Sequence, residues 1–259
     1  MDAGFLNVEY EVRQHIAWVT MNRPDVLNAL SKRMFQELRK SLEAASADKL
    51  VRFIIITGRG SAFSAGLDIK EVGEFKSRTE AGSFVYGLVK PFWEAFFASE
   101  KPIISMVHGA AYGAGAEIAL ASDIVIASTR SVFAFSGGRV GALCCISAAV
   151  GPFLMGGKKV VEMNLIGRPV SAEEAQRIGL VNHAVPEKEL LSTTRNILSY
   201  ISKVSPISNA GFKQILKEAI PKKALRTAYR ELLKTITSPD FREGSKAFRL
   251  KKPPNYYRQ

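Results

Sequence analysis

The segment 112–123, YGAGAEIALASD, sets one carboxylate, Glu117, in the first turn of an apolar helix, behind a turn built from glycine and alanine. Residues this small let another group approach the backbone closely. The unpaired amides of a helix N-terminus form an anion or oxyanion site, and a carboxylate beside them is an acid–base candidate. An acid here also suits the helix dipole. Taken alone, Glu117 stays open between those two roles. The loop 63–70, FSAGLDIK, repeats the design: small residues follow a buried strand, and Leu67 and Asp68 begin the next element. Two such loops could each aim one backbone N–H at a shared oxygen, the arrangement that stabilises a thioester enolate.

Other chemistries fit less well. A dinucleotide turn needs G-x-G-x-x-G, whereas Gly109, Gly113 and Gly115 are differently spaced. The stretch 151–159, GPFLMGGKK, approaches a phosphate-binding P-loop, but Gly157 stands where the lysine belongs and no Ser or Thr follows Lys158; it is expected to be a loop between helices. No G-x-S-x-G nucleophile elbow occurs. His15, His108 and His183 lie in or beside strands with no acid or nucleophile placed around them, which points to structural histidines. Cys144 and Cys145 are adjacent, which suits neither a mutual disulfide nor metal spacing, so no metal site is expected. They are expected as small core residues in a reducing, cytoplasmic setting.

The elements that must position these loops follow from periodicity. Residues 6–12 and 15–21 read as a strand pair. Met34, Phe35, Leu38 and Leu42 mark one helix face. The apolar, β-branched runs 51–58 and 102–109 are patterned as buried parallel strands. Residues 81–98 read as an aromatic-rich helix, 123–128 and 131–136 as short strands, and Ser171 with Glu174 as a capping box closed by Gly179. From about residue 187 everything reads helical. Recurring strand–loop–helix units followed by helices make this an α/β chain. With 259 residues, 47% apolar, it affords a sizeable core, and no run is long enough to span a membrane. The start, MDAGFLNVEYEV, lacks the regions of a signal peptide. The net charge of +12 is concentrated at the end: residues 203–259 hold fourteen Lys/Arg against four Asp/Glu, a surplus of ten. Such an end suits an anionic partner, whether nucleic acid or an anionic ligand, or a solvated surface. Phe212, Tyr229, Phe241, Phe248, Tyr256 and Tyr257 interleave with these cations, the pattern behind the nucleic-acid alternative.

Five stretches in order resemble the enoyl-CoA hydratase/isomerase (crotonase) superfamily: 22-NRPDVLNAL-30, 63-FSAGLDIK-70, 108-HGAAYGAGAEIALASD-123, 171-SAEEAQRIGLVNHAV-185 and 240-DFREGSKAFRLKKP-253. The resemblance implies a crotonase-like spiral of ββα units over residues 1–196 carrying the acyl-CoA site. A helical, basic region over 197–259 would build homotrimers, often paired into hexamers. It implies an oxyanion hole from the N–H groups of Leu67 and Ala114, and Glu117 as a catalytic acid. CoA contacts would come from Arg23, Val26, Leu27, Ala29, Ala65, Asp68, Ile69 and Lys70, and from Lys251 and Lys252 in the tail. Tyr112, Gly113, Gly138 and Arg139 fall where an acyl pocket would be. Coenzyme A enters only as part of the substrate, with no permanently bound cofactor, and gives the basic tail an anionic ligand without nucleic acid.

One departure bears on the reaction. Hydratases of the family carry a second glutamate in a segment written F-G-Q-P-E-x-x-x-G; here it reads 133-FAFSGGRVG-141, and the acid position is Gly137. The implied activity is that of an enoyl-CoA hydratase, a lyase of fatty-acid or related acyl-CoA metabolism. A malonyl-type decarboxylase or an acyl-CoA hydrolase is the alternative, because related branches keep only the first acid. Arg139 is either a surface residue or a ligand for a substrate carboxylate. A non-catalytic CoA-binding relative is the remaining alternative.

Overall fold

The computed structural model describes residues 4–256; the first three residues of the start segment and Tyr257 lie outside the described residues. The chain opens with β1 (Val8–Arg13) and β2 (Ile16–Met21), an antiparallel pair turned by Gln14 and His15, both at positive φ. α1 (Lys32–Ala47) follows, capped by the Ser31 hydroxyl, which accepts from Met34 N–H at 3.1 Å. β3 (Phe53–Gly58), α2 (Ile69–Val72), α3 (Arg78–Phe84) and α4 (Lys90–Ala98) come next. α3 and α4 are joined by a wide helical turn, Val85–Val89, ahead of Pro91. Proline has no N–H for the carbonyl four residues back, and a widened turn accommodates that loss.

β4 (Ile103–Val107), β5 (Ala110–Tyr112), α5 (Ala114–Ala121), β6 (Ile124–Ser128) and β7 (Val132–Ala134) lead to α6 (Cys145–Gly151) and α7 (Gly157–Ile166). The segment expected as a loop, 151–159, is instead helical: a wide turn, Pro152–Gly156, joins α6 to α7. Burial of Met155 holds this turn against the core. β8 (Val170–Ser171), α8 (Ala172–Arg177) and β9 (His183–Val185) complete the spiral. Ser171 caps α8 by accepting from Glu174 N–H at 3.2 Å, but the Glu174 carboxylate turns to Lys159, also at 3.2 Å. Only half of the capping box therefore forms. Four helices end the chain: α9 (Leu190–Ile201), α10 (Pro206–Ala219), α11 (Lys222–Ile236) and α12 (Pro239–Arg249). The 196/197 division falls inside α9.

The main sheet runs β1-β2-β3-β4-β6-β9, parallel from β2 onward; β5, β7 and β8 make a second sheet. Successive strand residues alternate between two cores. Ala17, Val19, Ile54 and Ile56 face the larger one with α1, α4, α5 and α11, while Ile16, Trp18, Phe53 and Ile55 face Leu190 and Leu198 of α9. α11 and α12 join the larger core through Tyr229, Leu232 and Phe241, so the last helices pack on the spiral. Cys144 and Cys145 are free thiols buried in it. His15 and His108 bond to the carbonyls of Leu50 and Gly60. No helix among the described residues is long and apolar enough to cross a membrane.

α10 differs, because none of its residues is buried. It is tied down by Lys213, whose Nζ donates to Asp123 Oδ2 at 2.6 Å and to Lys101 O at 2.8 Å. This pair is partly sheltered, so removing one member costs more than an exposed pair would. Lys213→Met is expected to destabilise the chain by about 1–3 kcal/mol and to speed amide exchange in α10 selectively. Unchanged exchange there would show that the helix is held by other contacts.

Candidate active site

Two loops meet at the carboxyl ends of β3 and β4. The first is backed by the segment 22–30, and Asn28 is its clamp. Asn28 is fully buried at positive φ, and its side-chain amide donates to Arg59 O and Ala62 O. The Ser64 hydroxyl donates to Asn28 O at 2.9 Å. Ala65 N–H donates to Leu27 O and Leu30 N–H to Gly66 O, which fixes the chain on either side of Leu67. The second loop is stitched to the first: Ser64 N–H donates to Ala110 O at 3.0 Å, and Tyr112 N–H to Ser64 O at 2.9 Å. Gly66, at φ +86°, is a point of close approach beside the two amides; a Cβ there would lie 2.6 Å from Tyr112 O and 3.1 Å from Ala114 N.

This packing brings Leu67 and Ala114 to one cavity of about 640 Å³. Ala114 is the first residue of α5, so its N–H has no intrahelical acceptor. Neither Leu67 N–H nor Ala114 N–H donates to any protein acceptor among the described residues. Two free amides on adjoining loops are what a developing oxyanion requires.

Glu117 lines the same cavity and is 4% exposed. It does not serve its own helix alone. Its Oε1 accepts from Ile146 N–H at 2.7 Å and Ser147 N–H at 2.9 Å, the first turn of α6, whose N-cap Cys144 offers no side-chain acceptor. Oε2 has no bond within the protein and is left to the cavity. Burial pushes the carboxyl up to about 8, against the opposing pull of the Ser147 and Ile146 amides. Such a group can both give and take a proton near neutral pH. Burial, and after it the charge of Glu117, pushes both neighbouring thiols well up, so neither is a thiolate nucleophile.

Gly137 lines the same cavity. A Cβ there would sit 3.0 Å from Cys144 Sγ and 3.1 Å from Ala142 O, so a side chain at this position would press on Cys144. Val26, Leu27, Ala29, Ala65, Asp68, Ile69 and Lys70 all line the cavity, as do Tyr112, Gly113 and Arg139. Arg23, Gly138, Lys251 and Lys252 do not. Arg23 is engaged as a brace, donating to Ala29 O at 2.6 Å and Asp68 Oδ2 at 2.9 Å. Lys251 and Lys252 are exposed just past α12. Sequence reasoning missed the Asn28–Ser64 clamp, although an Asn tolerating positive φ was a usable signal. It also missed the apolar walls from Phe35, Trp93, Leu143, Leu232 and Phe248, which carry no local signature. Among the described residues no group of three or more His, Cys, Asp or Glu could hold a metal ion.

The sequence matches the model of the enoyl-CoA hydratase/isomerase family over residues 11–259. A probable mitochondrial enoyl-CoA hydratase of Dictyostelium discoideum is 32% identical over 251 residues, covering 95% of this chain and 89% of that protein. A probable enoyl-CoA hydratase of Rhodobacter capsulatus is 31% identical over 257 residues, 98% of each chain. The crystal structure of an enoyl-CoA hydratase from Mycobacterium avium subsp. paratuberculosis K-10 superposes with a TM-score of 0.85 at 25% identity, covering 98% of this chain and 99% of that one. Matched over nearly its whole length in sequence and in fold, the chain belongs to the enoyl-CoA hydratase/isomerase family.

Proposed function

We propose that the chain adds water to the double bond of an enoyl-CoA thioester. The observation that carries this reading is the free Oε2 of Glu117, in one cavity with the unpaired amides of Leu67 and Ala114. The thioester oxygen sits between the two amides. Glu117, as carboxylate, takes a proton from water while the hydroxide bonds to the β-carbon. The π electrons move onto the thioester as an enolate, whose oxygen the amides stabilise. Glu117 then returns its proton to the α-carbon. One carboxylate works in both directions, which is what the absence of an acid at Gly137 demands. Lys70 lies at the cavity for the CoA phosphates, and Lys251 and Lys252 belong to that role in an assembly of copies.

The carboxylate form is the starting state, so kcat/KM for hydration is expected to rise with pH up to about 8 and then level. A flat profile from pH 6 to 9 would remove Glu117 from the rate-determining proton transfer.

Gly137 favours a second reading, a malonyl-type decarboxylase or an acyl-CoA hydrolase. Decarboxylation forms the same enolate by loss of CO2 and needs no second acid. A panel of crotonyl-CoA, methylmalonyl-CoA and a saturated acyl-CoA, each followed by mass, separates the three: gain of water, loss of CO2, or release of free CoA. No turnover of any thioester, with CoA still bound, would leave a non-catalytic binder. The reading includes a homotrimer or a pair of trimers in the cytoplasm. Exposed Ile207, Phe212 and Ile215 on α10 support self-association, which sedimentation would report. It gives the basic tail an anionic nucleotide ligand in CoA. Oligonucleotide binding indifferent to free CoA would favour nucleic acid instead.

A further inference from the structure

We propose that the acyl group taken by this site is an uncharged hydrocarbon chain longer than crotonyl, an inference that rests on the acyl-CoA reading of the cavity. The lining of the cavity divides by burial. Its charged residues other than Glu117 lie toward solvent: Asp25, Lys70 and Arg139 are exposed, and Asp68 is half-buried and paired with Arg23. Its most buried residues are Phe35, Val89, Trp93, Cys145 and Leu232, each 1–2% exposed. All five belong to the larger core, so the cavity runs from the surface into the hydrophobic interior. Among the buried lining residues described, the only ionisable groups besides Glu117 are the thiols of Cys144 and Cys145, which burial keeps protonated.

This interior is preformed. Val89 ends the wide turn Val85–Val89, and Trp93 follows four residues on in α4, so the two share one helix face. Trp93 is wedged among Phe92, Phe96 and Phe97, at ring-centroid distances of 4.9, 5.4 and 5.9 Å. Phe35 of α1 meets Phe84 and Phe92 edge-on at 5.7 and 5.6 Å. Walls packed this way relax little into an adjoining gap. The CoA nucleotide is anionic, and the buried lining offers it no cation, so it stays at the exposed end with Lys70. With the thioester at Leu67 and Ala114 and the β-carbon at Glu117, the remaining acyl carbons are what the apolar interior receives. A four-carbon group is short for it, since the cavity of about 640 Å³ is several times the ~150 Å³ that holds a benzene ring in an apolar protein core. Each further methylene leaves water and gives the walls partner atoms. A terminal carboxylate would be desolvated there with no cation to meet it.

The test compares crotonyl-CoA, trans-oct-2-enoyl-CoA and oct-2-enedioyl-CoA, of the same length but ending in a carboxylate, in the full-length wild type, Val89→Ile and Val89→Phe. Wild type is expected to favour octenoyl-CoA over crotonyl-CoA by about 10-fold or more in kcat/KM, four added methylenes being worth up to about three- to fourfold each. It is expected to use the acid-ended substrate less well than octenoyl-CoA. Val89→Phe fills the interior and brings the octenoyl-to-crotonyl ratio to about one or below, mainly by raising KM for octenoyl-CoA. Val89→Ile, one methylene larger, moves the ratio the same way by a smaller step and serves if the phenylalanine variant does not fold. Equal or better use of crotonyl-CoA or of the acid-ended substrate by wild type, or an equal loss on long and short substrates in the variants, overturns the assignment. If no enoyl thioester is turned over, the hydratase reading fails, but binding still decides this one. Octanoyl-CoA must then bind wild type more tightly than butyryl-CoA, and enlarging Val89 must shrink the difference. Equal affinity in wild type would sink it.

Discussion

Glu117→Gln is expected to lower crotonyl-CoA hydration by about 100- to 10,000-fold, the usual share of a positioned acid–base group. The same substitution is expected to stabilise the fold in alkali. In the native chain the carboxyl is pushed up to about 8, against 4.5 for an exposed glutamate. The folded state therefore holds this proton more tightly than the unfolded state does. The stability so gained is complete below about pH 4.5 and is lost as pH rises through about 8. The loss is on the order of a few kcal/mol, since each pKa unit is worth about 1.4 kcal/mol. Glutamine keeps an oxygen for Ile146 N–H and Ser147 N–H and never ionises. Melting curves at pH 5 and pH 9 should nearly coincide for the two proteins at the lower pH, with the variant melting higher at pH 9. A wild type as stable as the variant at pH 9 would show that the carboxylate is solvated far better than its burial indicates.

Gly66→Ala is the second large effect. Gly66 is at φ +86°, and a Cβ would stand 2.6 Å from Tyr112 O and 3.1 Å from Ala114 N. Both neighbours are backbone, so the loops themselves must part. The conformation costs about 1–2 kcal/mol for an L-residue, and the overlap adds to it. Separating the two amides is expected to cost about 100- to 1,000-fold in kcat, the scale of one lost oxyanion donor. Gly82→Ala is the matched control. It lies in α3 with nothing within 4 Å of the added Cβ, and should leave kcat unchanged while adding up to about 1 kcal/mol of stability. Wild-type kcat in Gly66→Ala would mean that the hole does not depend on contact between these loops.

The fold was legible where burial wrote a pattern. The runs at 51–58 and 102–107 are β-branched and continuous because those strands are covered on both faces. Leu67, Ala114 and Glu117 were legible because small residues and one acid after a buried strand leave few uses for them. What stayed hidden is tertiary. The donors to Glu117 sit 29 and 30 residues later, in a helix whose start carries no capping signal of its own. β5 and β8, three and two residues long, depend on tertiary pairing, both with β7 and β5 also with Ser64. The aromatic walls come from Phe35 of α1, Trp93 of α4 and Phe248 of α12, helices far apart in the chain. Arg23, which its motif places among the CoA contacts, also carries a contact that the motif does not announce: its Nη1 donates to Asp68 Oδ2 and to Ala29 O.

The central claim is that Glu117 and two backbone amides pass crotonyl-CoA through an enolate. Incubation of wild type and Glu117→Gln with crotonyl-CoA in D2O, read by mass and by NMR at the α-carbon, tests it directly. The prediction is a hydrated product carrying one deuterium at the α-carbon per turnover in wild type, and almost none in the variant. Crotonyl-CoA recovered unchanged from wild type that still binds CoA, or equal turnover by Glu117→Gln, would contradict the account.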